Sequence, residues 1–357
     1  MTAAHSAMPD GPAEAPALPN GWTEYTPEAV DIDDLTALLR RHEREARGFP
    51  GADSENVSAE VTGRGARTRT HVMMRDRDGT ARAWVTSHDR AAGRVLIGVT
   101  VDPDLNDEVA GAVAARCYAL AARFATRITD SRAVESHMDS GAFADDERQQ
   151  GWLRDAGFEL VRHWWQMSRP VTPSEAVAPR LREGVAVRRV RRDDAEGMPH
   201  EQDLRDVHDV LEDSFADHFN SYRETFDEFV GRLREDPAHR WDHWWIATVD
   251  GEPAGALVGV PSTGRVDGDG QPAPDGSYVE YIGVSQNARG RGVAKALLHT
   301  VISDAAERGR DRVGLEVDAD SPTGAEGLYT SMGWATKYVT QSWHKGLDTA
   351  SSGDDAS

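Results

Sequence analysis

The segment Arg289-Gly290-Arg291-Gly292-Val293-Ala294 has the residue types of an anion-binding site. It lies between a strand-like run, Tyr278 to Val284, and a run with helical apolar spacing, Val293 to Glu307. Free backbone N–H groups and the positive end of a helix dipole converge where such a helix begins. Glycines let a ligand approach the backbone, and two arginines add positive charge. The segment therefore predicts a phosphate or pyrophosphate ligand.

Two common phosphate-binding loops do not fit this segment. A P-loop needs a lysine followed by serine or threonine at the start of the helix, and this helix start has no such pair. A dinucleotide-binding fingerprint needs a third glycine where Lys295 stands, close to the start of a βαβ unit. The strand in question comes late in the chain, so a different phosphate ligand is indicated.

The segment resembles the coenzyme A loop of the GNAT acyltransferase superfamily, whose signature is Gln/Arg-x-x-Gly-x-Gly/Ala. Arg289, Gly292 and Ala294 meet this signature. A second block about forty residues on also resembles the family, with a strand over Val313 to Val317 and then Leu328-Tyr329 and Gly333-Trp334. Together the two blocks make the resemblance specific over Trp244 to Lys345.

The second block also predicts a short helix. Ser321 is placed to cap it, with Pro322 in its first turn and Gly333 at its end. Members of the family often have asparagine at the position of Ser321, which implies a weaker contact with the coenzyme at this residue.

The resemblance implies that acetyl-coenzyme A is the co-substrate and that no metal is needed. It implies that pantetheine pairs with the free edge of the strand before the loop, that this strand splays from Val313 to Val317, and that the Val284 N–H faces the thioester oxygen as an oxyanion donor. It also places Tyr329 as the acid that protonates the departing thiolate, with a core aromatic as the alternative. The implied coenzyme-binding residues are Ile282, Gly283, Val284, Arg289, Gly290, Arg291, Gly292, Val293, Ala294 and Ser321.

A protonated amine must lose a proton before it attacks a thioester, so a base is required. Strict alternation places Tyr278, Glu280, Ile282 and Val284 on one face of the strand and Val279, Tyr281 and Gly283 on the other. Glu280 is therefore our candidate base, with Glu316 on the neighbouring strand as the alternative. The competing interpretation of Glu280 is a solvated carboxylate.

The segment Asp206 to His243 is expected to contact the acceptor. A helical face there ends at Asp217-His218-Phe219, and a similar acidic-His-aromatic stretch lies near the acceptor in tandem GNAT proteins of the mycothiol-synthase type. Asp217 and His218 are thus candidate substrate-binding residues. His239 and His243 stand four residues apart, but the tryptophans around them favour packing over metal binding.

The chain carries the same plan twice, as tandem GNAT proteins do. Gly157-Phe158 matches Gly333-Trp334, and aligning Val101 with Val284 places Asn106-Asp107-Glu108-Val109 opposite the arginine-glycine loop. Two carboxylates there oppose phosphate binding, so the first copy is predicted to be degenerate. The predicted fold class is α/β, an α+β mixed sheet in two tandem GNAT-like domains. The predicted divisions are a disordered tail 1–19, a degenerate domain 20–171, a linker 172–184, a catalytic domain 185–347 and a disordered tail 348–357.

Composition narrows the classes of partner. The chain has 357 residues and a formal net charge of −21, which argues against nucleic acid as a ligand. Its mean hydropathy is −0.59, and no stretch is long and apolar enough to predict a membrane span or a signal peptide. The single cysteine, Cys117, lies in an alanine-rich helical run and predicts a buried structural thiol. We expect a cytoplasmic monomer or homodimer.

These inferences predict an acetyl-coenzyme A-dependent N-acetyltransferase. The acetyl group would pass by direct attack to the primary amine of a small molecule, with Glu280 as base and Tyr329 as acid. Two alternatives stay open at this point: a non-catalytic acyl-coenzyme A-binding sensor or scaffold, and a protein-lysine acetyltransferase.

Overall fold

We describe a computed structural model of the chain, which covers residues 15–90, 93–130, 136–193, 197–216, 224–234, 240–262, 274–320 and 324–347. Asp217, His218, His239 and Ser321 lie outside these residues, as do the predicted C-terminal tail and most of the N-terminal one.

The described residues form a mixed α/β structure, as the sequence predicts. Its strands are β1 (Thr23–Tyr25), β2 (Arg69–Arg75), β3 (Ala81–Asp89), β4 (Arg94–Val101), β5 (Ser136–Phe143), β6 (Glu159–Pro170), β7 (Val185–Arg189), β8 (Trp244–Val249), β9 (Glu252–Ser262), β10 (Gly276–Val284), β11 (Arg312–Asp318) and β12 (Ala335–Leu347). Its helices are α1 (Ile32–Arg47), α2 (Ser54–Val61), α3 (Asp107–Asp130), α4 (Glu147–Asp155), α5 (Glu201–Ser214), α6 (Phe226–Leu233), α7 (Val293–Glu307) and α8 (Ala325–Ser331).

All the strands join one sheet, in the order β1-β2-β3-β4-β5-β12-β6-β11-β10-β9-β8-β7. Exchanging β1–β6 with β7–β12 reproduces this order read backwards, so the two halves of the chain occupy equivalent places. The parallel pairs, β4–β5 and β10–β11, are equivalent to each other. This internal symmetry confirms the tandem plan.

The last strand of each half lies between strands of the other half. Strand β6 pairs antiparallel with β11, and β12 pairs antiparallel with β5 and with β6. One hydrogen-bonded sheet therefore contains strands from both sides of the predicted linker 172–184. The division of the chain into two domains at this linker stays a prediction.

Side chains of neighbouring strand residues point to opposite faces of the sheet, so both faces carry apolar side chains. Helices pack against each face. Met73 packs in a core with α1 and α2, whereas Met74 packs in a core with α3 and α4. In the second half, Trp244 packs with α5 and α6, and Trp245 packs with α7 and α8. In the part of the chain that the structure describes, no helix is long and apolar enough to cross a lipid bilayer.

Candidate active site

Strands β10 and β11 separate after a short stretch of pairing. They are partners from Ser277↔Val313 to Val279↔Leu315, and the pairing then ends although both strands continue. The predicted splay is thus present, and it opens a gap in the sheet beside Ile282 to Val284.

A β-bulge at Glu280 changes which side chains share a face of β10. The register against β9 shifts between Val279 and Tyr281, so Glu280 is the extra residue. Val279 accordingly packs in the same core as Ile282 and Val284, whereas Tyr281 packs on the α5–α6 side. The prediction that side chains alternate strictly along β10 was therefore wrong at Glu280. A bulge adds one residue to the strand, and the sequence pattern does not show where this happens.

The backbone of β10 presents hydrogen-bonding groups to the gap. The N–H of Ser285 donates to the Ala254 carbonyl on β9 at 3.0 Å. Successive N–H groups of a strand point to opposite edges, so those of Val284 and Ile282 point away from β9 and towards the gap. The Val284 N–H thus has the direction that the role of oxyanion donor requires.

A cavity of about 620 Å³ passes through this gap. Its wall contains Glu280, the stretch 282–284, Arg289, Glu316 and Tyr329, so the structure brings these predicted residues together. It also contains Trp164 from β6, a strand of the first half.

The arginine-glycine loop follows β10 and leads into α7. Gly290 and Gly292 have φ angles of 80° and 88°, a left-handed conformation that glycine adopts most easily. Gly292 is the N-cap of α7, and its carbonyl accepts from the Ala296 N–H at 3.0 Å. The N–H groups of Val293, Ala294 and Lys295 therefore precede the helical ladder and point out of the helix start. The Val293 side chain itself is buried in the core.

Arg182 is a third arginine at this loop, and the sequence analysis missed it. Its Nη1 donates to the Gly290 carbonyl at 2.9 Å, and a Cβ added at Gly292 would approach its Cδ to 2.9 Å. Arg291 pairs with Asp250 at 3.2 Å. Arg182 lies in the stretch interpreted as a linker, and no local sequence signal marks a contact over such a separation in the chain.

Gln166 on β6 organises the carboxylate opposite Glu280. Its amide donates to Glu316 and also to Thr340 at 3.1 Å, while its oxygen accepts from the Tyr278 hydroxyl at 3.3 Å. The Glu316 side chain opens to the cavity, yet the surrounding protein desolvates it and raises its pKa, an effect that the Gln166 hydrogen bond opposes. Gln166 was also missed, because it comes from the other half of the chain.

Tyr329 lies near the end of α8, where it is buried and its ring meets Trp334 edge-on at 6.1 Å. Burial raises the pKa of its phenol to about 12, so the hydroxyl is protonated at neutral pH and able to donate a proton. Gly333, with φ 93°, turns the chain after α8 as predicted. The helix begins at Ala325 with Gly324 as its N-cap; the predicted cap, Ser321, lies outside the described residues.

The other mouth of the cavity is formed by α5 and α6. Arg232 holds the carboxylate of Glu224 at 2.8 Å and donates to the Tyr281 hydroxyl at 3.1 Å. The candidate acceptor residues Asp217 and His218 lie outside the described residues. His243 is buried, and both of its ring nitrogens have protein partners, Asp242 at 2.7 Å from Nδ1 and Arg310 at 2.7 Å from Nε2.

Comparison with known proteins places this geometry in a family. Residues 204–334 match the model of the Acetyltransferase (GNAT) family. A mycothiol acetyltransferase of Kytococcus sedentarius is 27% identical over 308 residues, which cover 84% of this chain and 90% of that protein. One from Thermobispora bispora is 33% identical over 185 residues, 50% of this chain and 56% of that protein. Residues 204–334 of the chain thus carry a GNAT family domain, and the chain is similar to mycothiol acetyltransferases over most of its length.

Solved structures share the fold of this protein. A GCN5-related N-acetyltransferase from Sphaerobacter thermophilus superposes with a TM-score of 0.70 at 21% identity, covering 93% of this chain and 98% of that one. A tandem GNAT protein from the clavulanic acid biosynthesis pathway gives a TM-score of 0.65 at 10% identity, covering 92% and 99%. At these identities the likeness concerns the fold alone.

The first half of this protein has the same splay but closes its own helix start. The Asn106 side chain accepts from the Val109 N–H at 3.0 Å, so the residue that replaces Arg289 caps α3. Asp107 and Glu108 add two carboxylates to the same turn. The Val109 N–H is therefore already hydrogen-bonded, and the two carboxylates repel an anion at this helix start.

The gap in the first half is also filled. Strands β4 and β5 pair from Arg94↔His137 to Ile97↔Ser140 and then part. The buried amide of Gln149 donates across the opening to the carbonyls of Val99 and Gly141, each at 3.2 Å. Counting back from the matched glycines, Gln149 stands where the second half has Ala325, and Leu153 where it has Tyr329.

We predict that each chain binds a single acetyl-coenzyme A. Isothermal titration calorimetry should give one site in the wild type, and Gly292→Glu should weaken it about 1000-fold, because like charges ~4 Å apart at an effective dielectric near 20 repel by about 4 kcal/mol. The control is Gly292→Ala, which has the same backbone strain and the same contact with Arg182 but no charge, and it should retain most of the affinity. Two sites, or equal losses in both variants, would contradict this assignment.

Proposed function

We propose that this protein transfers the acetyl group of acetyl-coenzyme A to the primary amine of a small molecule. The observation that carries the proposal is the cavity through the β10–β11 gap, which is lined both by Arg289 of the arginine-glycine loop and by carboxylates near α5 and α6. In the proposed complex, the loop 289–294 and Arg182 hold the pyrophosphate, and pantetheine pairs with the backbone of 282–284.

The proposed chemistry is direct attack. Glu280 accepts a proton from the ammonium, and the free amine nitrogen attacks the thioester carbonyl, whose oxygen becomes negative and is stabilised by the Val284 N–H. The carbon–sulfur bond then breaks, and Tyr329 gives its proton to the coenzyme A sulfur. Loss of the second nitrogen proton leaves an amide and a free thiol. Glu316, held by Gln166, is the competing candidate for the base.

The charge of the cavity favours a cationic acceptor. Its described wall holds five carboxylates, Glu212, Glu224, Glu280, Glu316 and Asp318, against two guanidinium groups, Arg232 and Arg289. Glu224 pairs with Arg232 and Asp318 pairs with Arg162 at 3.8 Å, but carboxylates still outnumber guanidinium groups in the wall, which favours a negative field. Trp164 from the first half walls the cavity, which favours a small molecule over a peptide.

Two relatives with similarity to this chain are called mycothiol acetyltransferases, and this similarity supports a small-molecule amine as the acceptor. The acceptor itself is not specified by the residues described above. A cytoplasmic location and a monomeric or dimeric state remain predictions from the sequence.

Release of free thiol from acetyl-coenzyme A, measured against a panel of small amines, tests the activity. We expect turnover with at least one cationic primary amine and an acetylated product of matching mass. Tight binding of acetyl-coenzyme A without turnover on any amine would favour a sensor, and acetylated lysines in added proteins would favour a protein acetyltransferase.

Tyr329→Phe should lower kcat about 100-fold or more and leave the affinity for acetyl-coenzyme A unchanged, because the phenol acts only when the thiolate leaves. The matched control is Tyr118→Phe, which removes the hydroxyl of a tyrosine buried in the first-half core and should leave kcat unaltered. Wild-type turnover in Tyr329→Phe would reduce Tyr329 to a packing residue.

Glu280→Gln should slow the reaction most at low pH, where the amine is protonated and must surrender its proton to a base. The deficit should shrink as the pH rises, since free amine then enters the site without help. The same profile measured for Glu316→Gln separates the two candidates. If the low-pH deficit appears only in Glu316→Gln, the base is Glu316 and its raised pKa places the acidic limb of the profile above that of an ordinary carboxylate.

A further inference from the structure

Two histidines and a carboxylate meet where the two halves of the sheet join. His137 and Asp139 lie two residues apart on β5 and so share one face, and His344 on β12 is the register partner of Asp139. None of the three lines the cavity described above. The cluster is therefore separate from the proposed acetyl-transfer site and does not depend on that proposal.

The potential ligand atoms of these residues converge. The Asp139 Oδ1 lies 3.0 Å from the His137 Nε2 and 3.3 Å from the His344 Nε2, and the three ligand atoms all lie within 4.8 Å of one another. Zinc bonds of about 2.0–2.1 Å in tetrahedral geometry set ligand atoms roughly 3.3 Å apart. Both distances from Asp139 are near that value, and the distance between the two imidazole nitrogens is at most 4.8 Å.

The surroundings of Asp139 orient it for this role. Arg94 pairs with its other oxygen, Oδ2, at 2.5 Å, so Oδ1 is the oxygen that faces the two imidazoles. The Asp139 side chain is 5% exposed, whereas those of His137 and His344 are 36% and 20% exposed. The carboxylate is thus fixed from behind by a charged partner, as metal-binding carboxylates commonly are, while solvent reaches the site past His137.

We propose that His137, Asp139 and His344 bind a divalent transition-metal ion, with Zn²⁺ as the ion best matched to two imidazoles and one carboxylate. Water completes the tetrahedron. The sequence analysis expected no metal, and no local pattern unites these residues, because His344 is far along the chain from the other two. The bound ion would link β12, the last strand among the described residues, to β5 in the first half.

Titration of Zn²⁺ into the full chain, after removal of metal with a chelator, tests the site. We expect one equivalent to bind by calorimetry and to raise the melting temperature. Co²⁺ in place of Zn²⁺ should give the visible absorption of a tetrahedral ion. His137→Ala and His344→Ala should each weaken binding at least tenfold and remove the gain in melting temperature, with circular dichroism confirming that both variants fold.

The matched control is His200→Ala. His200 also pairs with a carboxylate, Asp193 at 2.8 Å, and it is exposed, so it reports adventitious binding to any histidine-aspartate pair. This variant should bind Zn²⁺ like the wild type. No binding by the wild type, or equal affinity in the wild type and in the His137→Ala/His344→Ala double variant, would overturn the proposal and leave the cluster as a set of hydrogen-bonded ion pairs.

Discussion

The separation of β10 from β11 is the constraint on which the rest of the site depends. A strand whose neighbour departs keeps its backbone N–H and carbonyl groups facing the opening, and buried groups of this kind need partners. In this protein the cavity in the opening is lined by the strand edge, Ile282 to Val284, and by Arg289, the first residue of the loop that leads into α7. A long ligand with amide groups at one end and phosphates at the other matches that arrangement.

The first half contributes to the site of the second half because the last strand of each half lies between strands of the other half. Strand β6 of the first half lies beside β11 and brings Trp164 to the cavity wall and Gln166 to the carboxylate of Glu316. The second half alone would lack both contacts. The first half thus contributes to the site through packing and hydrogen bonds, although its own gap is closed.

The sequence was sufficient to predict features that depend on residues close together in the chain. The helix predicted over Val293–Glu307 has those bounds, and the splay of β10 follows from its family signature. The bulge at Glu280 could not be predicted, because the types of the residues in β10 fit an alternating strand with or without one extra residue. Arg182 and Gln166 reach the site across the fold, and contacts of this kind are set by the order of strands in the sheet rather than by sequence spacing.

The two gaps of this sheet differ in how their backbone groups are satisfied. The carbonyls of Val99 and Gly141 face the first gap, and leaving them buried without a partner would cost roughly 1–3 kcal/mol each. The side chain of Gln149 supplies both hydrogen bonds from within the protein. In the second half the equivalent residue is Ala325, whose small side chain leaves the space open. The residue at this position, glutamine in the first half and alanine in the second, is therefore one of the differences that close the first gap and leave the second open.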